Sequence, residues 1–283
     1  MSWQILITLS ILTGSVAVLL QRLILRSGKI NPTAFSIFIG LFCGVIITIL
    51  TGLFGQLDFS GVLAVWPNLV LTTLIYAIGG VISNLALQKT EVSKFTVLFS
   101  SRGLVTILAA MIILGERVTS SQALGAILIF FGVVVASWEA QKIKFQNGDW
   151  LSLLAAVIYG LANVNDRYML QHMSLYPYLI LAFLLPSFLL MLVWPKSVKE
   201  LPTFFSPSKI KISLCLLGLF VFSAIWFYEA LKAAPNAAQV VSANLAGVIV
   251  AVGLSMIFLK ERKAWPQKFL GAVFSFVGLL FLN

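Results

Sequence analysis

Ten apolar runs follow one another along the chain, at roughly 3–24, 33–54, 66–88, 92–114, 120–139, 150–171, 177–195, 212–232, 236–259 and 265–282. A helix needs about 20 apolar residues to cross the hydrocarbon core of a bilayer, and each run is close to that length. The connections between them are too short to hold a soluble domain. Of the residues, 60% are hydrophobic and 10% charged, against about 25% charged in a soluble domain. A single globular core cannot hide that much apolar surface, and a mean hydropathy of +1.04 agrees. Soluble enzymes, secreted disulfide scaffolds and disordered tails are thereby excluded. The apolarity is continuous rather than strictly alternating, so the spans are helices and not barrel strands. The first run is too long for a signal peptide and lacks a basic start and a small-residue cleavage site. The expected fold is an all-α membrane protein with ten transmembrane helices and the lipid bilayer as its first partner.

Tryptophan rings favour the membrane interface, and Trp3, Trp66, Trp138, Trp150, Trp194 and Trp265 all fall at the ends of runs. Trp226 alone sits inside one, where it serves bundle packing or a wall facing a ligand. The two cysteines, Cys43 and Cys215, lie in apolar runs and imply no disulfide framework. The net charge of +10 is no sign of nucleic acid here, because the basic residues cluster between the runs and read as topology signals. The connections after the first, third, fifth, seventh and ninth runs hold fifteen of the nineteen lysines and arginines. The even connections hold only Arg117, Arg167 and Lys232. The positive-inside rule then puts the odd connections in the cytoplasm and both termini outside a plasma or inner membrane.

The chain repeats itself. Met111-Ile112-Ile113-Leu114-Gly115-Glu116-Arg117 recurs as Met256-Ile257-Phe258-Leu259-Lys260-Glu261-Arg262, an offset of 145. The same offset carries Arg22 onto Arg167, Pro32 onto Pro177 and Gln122 onto Gln267. After one inserted residue, Gly125 and Gly132 fall on Gly271 and Gly278. Each copy holds five runs, so the second enters the membrane upside down. The expected halves are 1–139 and 150–283, joined by a loop at 140–149. Inverted repeats of this kind build transporters whose site lies near the midplane between the halves.

Leu114-Gly115-Glu116-Arg117-x-Thr119-x-x-Gln122-x-x-Gly125 followed by an apolar run through Gly132 resembles the EamA-type domain of the drug/metabolite transporter superfamily. The resemblance covers essentially the whole chain and implies ten helices in a five-plus-five inverted repeat. It implies transport of amino acids, other metabolites or drugs, with cytoplasmic termini, opposite to the charge count. Family members often carry a proline where this chain has Gly103 and, in the second copy, Val248. They often carry an aromatic residue where it has Glu229, before Ala230-Leu231.

Glu116, Arg117 and Gln122, with their counterparts Glu261, Arg262 and Gln267, have an architectural reading. Thr119 to Gln122 form a capping box for the fifth helix, and Pro266 suits a helix N-terminus. Small residues four apart (Gly40/Gly44, Ala156/Gly160, Gly271/Ser275) allow close helix approach, within the bundle or in a dimer.

Ionisable residues inside spans are expensive and therefore informative. Arg102 is the eleventh residue of its run. Its side chain reaches roughly 6–7 Å against a core half-thickness of about 15 Å, so it cannot snorkel out. It either grips a substrate carboxylate or phosphate bidentately, with Ser100 and Ser101 beside it, or pairs with a buried acid such as Glu229. Glu229 either pairs with Lys232 three residues on or joins Trp226 and Tyr228 in a binding wall and carries protons. In the sixth run Asn163 is deep enough to line a cavity. Asp166 and Arg167 read as a solvated interfacial pair, with proton coupling as the other role for Asp166. Tyr76, Asn84, Ser242 and Asn244 are helix–helix glue singly and a polar lining together. His172 falls at a helix end and is expected at the surface.

The functional expectation is a secondary transporter, an exporter or exchanger of a small anionic or zwitterionic metabolite, working by alternating access as a monomer or homodimer. No GxxxxGK[ST] loop is present in the sequence, so nucleotide hydrolysis is not the direct drive. No cofactor or metal is expected, since one histidine and scattered acids make a poor ligand set. A flippase of lipid-linked substrates fits the same fold. An ion channel or a membrane enzyme fits it less well.

Overall fold

The computed structural model describes residues 2–26, 28–54, 57–114, 119–136, 138–139, 142–143, 145–233, 240, 243–244, 247–260 and 264–281. The first half contains α1 (Trp3–Leu25), α2 (Pro32–Phe54), α3 (Trp66–Lys89), α4 (Val92–Ser100), α5 (Arg102–Leu114) and α6 (Ser120–Ala136). The second contains α7 (Asn147–His172), α8 (Leu175–Val193), the short α9 (Pro195–Val198) and α10 (Ile210–Ala233). A helix at Gly247–Leu254 then runs into a π turn at Ser255–Leu259, and Trp265–Phe281 forms the terminal helix. Among the described residues, strand is confined to the two-residue β1 (Trp138–Glu139) and β2 (Lys142–Ile143), paired in the connection between the halves.

This is an all-α membrane protein. Among the described residues, five helices are long and apolar enough to cross a bilayer by length and composition alone. Others differ for visible reasons. α4 and α5 are two pieces of one apolar run. α6 and the terminal helix have 17 residues each, at the short end of the spanning range. α7 is long at 26 residues but is the least apolar of the long helices. Leu53, Leu192 and Phe258 are 70–80% exposed, as befits surfaces that meet lipid tails instead of water. Trp66, Trp150, Trp194 and Trp265 are exposed at or beside helix ends, the interfacial position expected of them.

The packing shows how the halves fit. α6 lies along the terminal helix and α2 along α8, while α1 packs on α10 and α3 on α7. The 145-residue shift exchanges α1 with α7 and α3 with α10. The last two contacts are therefore one contact seen twice, and the first two join repeat mates. Each of these contacts crosses between halves, so the halves interlock rather than stand as separate lobes.

Glycines set the closest approaches. A Cβ added to Gly132 would sit 2.7 Å from the Gly271 carbonyl oxygen, and one on Gly278 would sit 2.6 Å from that of Gly125. The repeat carries each of these two contacts onto the other, at the one crossing of α6 with the terminal helix. A Cβ on Gly40 would come within 2.9 Å of the Phe183 carbonyl oxygen, and one on Gly44 within 2.5 Å of Leu184. The small-residue stripes are thus used inside the chain.

Two features of the motif regions stand out. Gly115 of the first copy aligns with Lys260, whose φ is 57°. This left-handed conformation ends the π turn and costs a side-chain-bearing residue roughly 1–2 kcal/mol; Gly115 itself lies outside the described residues. Glu116, Arg117, Glu261 and Arg262 lie outside the described residues, as does the Gln122 side chain. Gln267 is described, and its side-chain carbonyl oxygen is buried with no hydrogen-bond partner among the described residues.

Candidate functional site

The fourth apolar run, expected as one helix, is interrupted at Ser101. The Ser101 amide bonds three residues back, to the Leu98 carbonyl at 3.2 Å. The hydroxyls of Ser100 and Ser101 donate to the carbonyls of Val97 (2.6 Å) and Leu98 (2.7 Å). The turn is tightened there toward the i→i+3 pattern of a 3₁₀ helix. A break in the run therefore exists here, at serines two and three positions before Gly103 and not at the glycine itself.

Arg102 begins the second piece. Its guanidinium carbon lies 4.6 Å from the centre of the Phe99 ring, and Tyr159, Tyr76 and Tyr228 are its electrostatic neighbours. Among the described residues no acid is in ion-pair contact with it. The approach of α5 to α7 positions it. A Cβ on Gly160 would sit 2.8 Å from the Arg102 carbonyl oxygen. Thr106 donates to the carbonyls of Arg102 (2.9 Å) and Gly160 (3.0 Å), and Asn163 donates to Thr106 at 3.2 Å. Asn163 is thus half-buried and engaged on the same α5–α7 contact as Arg102.

Asp166 corrects the sequence reading. It is not a solvated pair at the interface: it is buried, and its carboxylate accepts three phenol hydroxyls. Tyr76 donates to Oδ2 at 2.6 Å, Tyr228 to the same oxygen at 3.3 Å, and Tyr178 to Oδ1. The donors come from α3, α10 and α8, so one carboxylate on α7 ties three other helices. Asn165 beside it donates to Thr72 (2.7 Å) and accepts from Asn68 (2.7 Å), clamping α7 to α3. Arg167's side chain lies outside the described residues.

An aromatic path joins the two charged groups. Phe99 stacks on Phe95 at 5.2 Å and meets Tyr159 edge-on at 5.3 Å; Tyr159 meets Tyr76 at 5.7 Å, and Tyr76 reaches Asp166. These edge-to-face contacts are the preferred aromatic geometry.

The other expected residues are dispersed. Glu229 accepts from Tyr176 at 2.6 Å, while Lys232 is exposed at the helix end; neither Lys232 nor Arg102 is its partner. Trp226 stacks on Phe222 at 5.4 Å. Asn84 is buried and engaged by Gln21 and Ser36, making it glue between α1, α2 and α3. Asn244 is half-buried and Ser242 lies outside the described residues. His172 is exposed and stacks on Tyr168 at 4.4 Å.

Sequence reasoning missed Tyr159, Tyr178 and Phe99. A signal existed for the tyrosines. With 22 phenylalanines against 6 tyrosines, a phenol in a span is the exception, and a buried hydroxyl needs a partner. Four of the six surround Arg102 and Asp166.

Two interlocked bundles enclosing a polar, aromatic-lined centre in an otherwise apolar molecule are the build of a membrane carrier. The profile of the EamA-like transporter family matches residues 1–138 and again 146–283. The chain belongs to that family and is a membrane transporter of small solutes. A solved structure, titled only as the crystal structure of a protein, aligns with a TM-score of 0.61 over 96% of both chains at 16% identity, which speaks to the fold alone. The search of curated proteins gives no match.

Proposed function

We propose that the protein is a secondary carrier, an exporter or exchanger, for a small anionic or zwitterionic metabolite such as an amino acid. It would work by alternating access between inverted repeats at 1–139 and 150–283. The observation that carries this reading is Arg102, a mid-span guanidinium whose described contacts are aromatic. Desolvated charge of this kind is costly in a bilayer and marks a substrate path. Its planar fork matches a carboxylate or phosphate bidentately. Asp166 and Glu229 are the acids through which a proton would be coupled, and Tyr76, Tyr228 and Asn163 form the polar part of the lining. The test is thermal unfolding of the purified protein against amino acids, nucleotides, sugars and cations, since a ligand that binds only the folded state raises its melting temperature. Carboxylates should stabilise and their amides should not. Equal stabilisation by acid and amide would refute the anion reading.

We also propose that both termini face away from the cytoplasm, on the charge bias of the connections. Cysteines placed at positions 2 and 283 in intact cells should react with an impermeant thiol reagent. Protection of both would reverse the orientation.

A further inference from the structure

Two ion pairs, one fully buried and one between a buried lysine and a part-exposed glutamate, lie at the membrane face that carries the odd connections. Lys94 Nζ is 2.8 Å from Asp149 Oδ2, with the two side chains 6% and 1% exposed. Lys268 Nζ pairs with Glu91, the lysine side chain being 1% and the glutamate side chain 32% exposed. Thr90 donates to the other Asp149 oxygen at 3.1 Å, and the Gln146 amide donates to Oδ2 at 2.8 Å. Sequence alone counts Lys94 and Lys268 as loop charges. Instead, both pairs reach from the start of α4, in the first half, to two different helices of the second: α7 and the terminal helix.

The repeat makes this arrangement one-sided. In an inverted repeat, whatever one half builds at one face its mate can build at the other. The offset of 145 carries Glu91 onto Asn236, Lys94 onto Gln239, Asp149 back onto Gln4 and Lys268 back onto Ala123. None of these counterparts is charged. The chain thus has four charges for clasping the halves at one face and no charged mates for clasping them at the other.

We propose that Lys94–Asp149 and Glu91–Lys268 form the gate on the odd-connection face, and that their lack of charged repeat mates makes closure of this face the resting state. The proposal rests on the reading of the Arg102 chamber as the transport path. Removing one partner of a buried pair leaves an uncompensated charge and is strongly unfavourable for the clasped arrangement. The pairs must therefore separate into water for that face to open.

The test places a single cysteine at Ser101, beside Arg102, in a background where Cys43 and Cys215 are serine. An impermeant maleimide is applied to sealed vesicles of either orientation. Unaltered gates should give labelling from the even-connection face. Lys268→Glu should raise the labelling rate from the odd face at least tenfold, and adding Glu91→Lys should restore the original rate by re-forming the pair with reversed sign. Lys94→Met is the second variant. It leaves Asp149 its Thr90 and Gln146 donors, so the start of α7 keeps its cap, and it should also open the odd face. Unchanged odd-face labelling in both variants, with even-face labelling intact, would overturn the gate. A cysteine at 101 that reacts from neither face in any variant would overturn the chamber as the path, and the gate with it.

Discussion

Arg102→Ala is expected to abolish transport and ligand-induced thermal stabilisation, with transport falling by about two orders of magnitude or more, while the protein still folds. The guanidinium has the Phe99 ring at 4.6 Å, a contact worth roughly 0.5–2 kcal/mol. Against this stands the cost of a mid-span arginine, about 2.5–3.5 kcal/mol on insertion scales. Removal should therefore leave stability unchanged or slightly raised. Arg102→Lys should rescue transport poorly, because a point charge lacks the bidentate fork. Uptake into proteoliposomes together with a melting curve decides the matter. Normal transport in the alanine variant, or a variant that does not fold, would remove Arg102 from the site.

Asp166→Ala should have the largest effect on stability in the candidate site. Three phenols from three helices lose their acceptor at once. Hydrogen bonds between transmembrane helices average about 0.6 kcal/mol and reach about 1.7, so three of them amount to roughly 2–5 kcal/mol. Asp166→Asn keeps an acceptor oxygen and should cost less. Glu229→Gln disturbs one bond, to Tyr176, and should cost less than either. Denaturant unfolding in detergent ranks the three. If Glu229→Gln proved the most destabilising of the three, the tyrosine cluster would not be what holds α7 to its neighbours.

The spans and their ends were legible because the bilayer imposes one length and one polarity on every segment. The runs 3–24 and 66–88 correspond to Trp3–Leu25 and Trp66–Lys89. The break at Ser101 was less legible. Family proline and local glycine both pointed to position 103, whereas hydroxyls bonding to carbonyls three residues back leave no distinct sequence mark. Arg102 was legible from depth alone. Asp166 was misread because its distance from the end of α7 suggested water. What buries it is Tyr178 and Tyr228, which arrive from other helices through contacts that no local pattern encodes. The lysines of the two ion pairs were hidden for a similar reason: Lys94 and Lys268 sit where topology already explains a positive charge, so nothing called for a second explanation.

The joint between α4 and α5 behaves as a spring clip rather than a weld. A proline ring would hold such a joint open permanently, since it removes an amide donor and clashes with the preceding turn. Here Ser100 and Ser101 hold it with two hydroxyl bonds, each of which is released by rotation about a single side-chain bond. Were the joint to straighten, Arg102, the first residue past the clip, would turn about the helix axis.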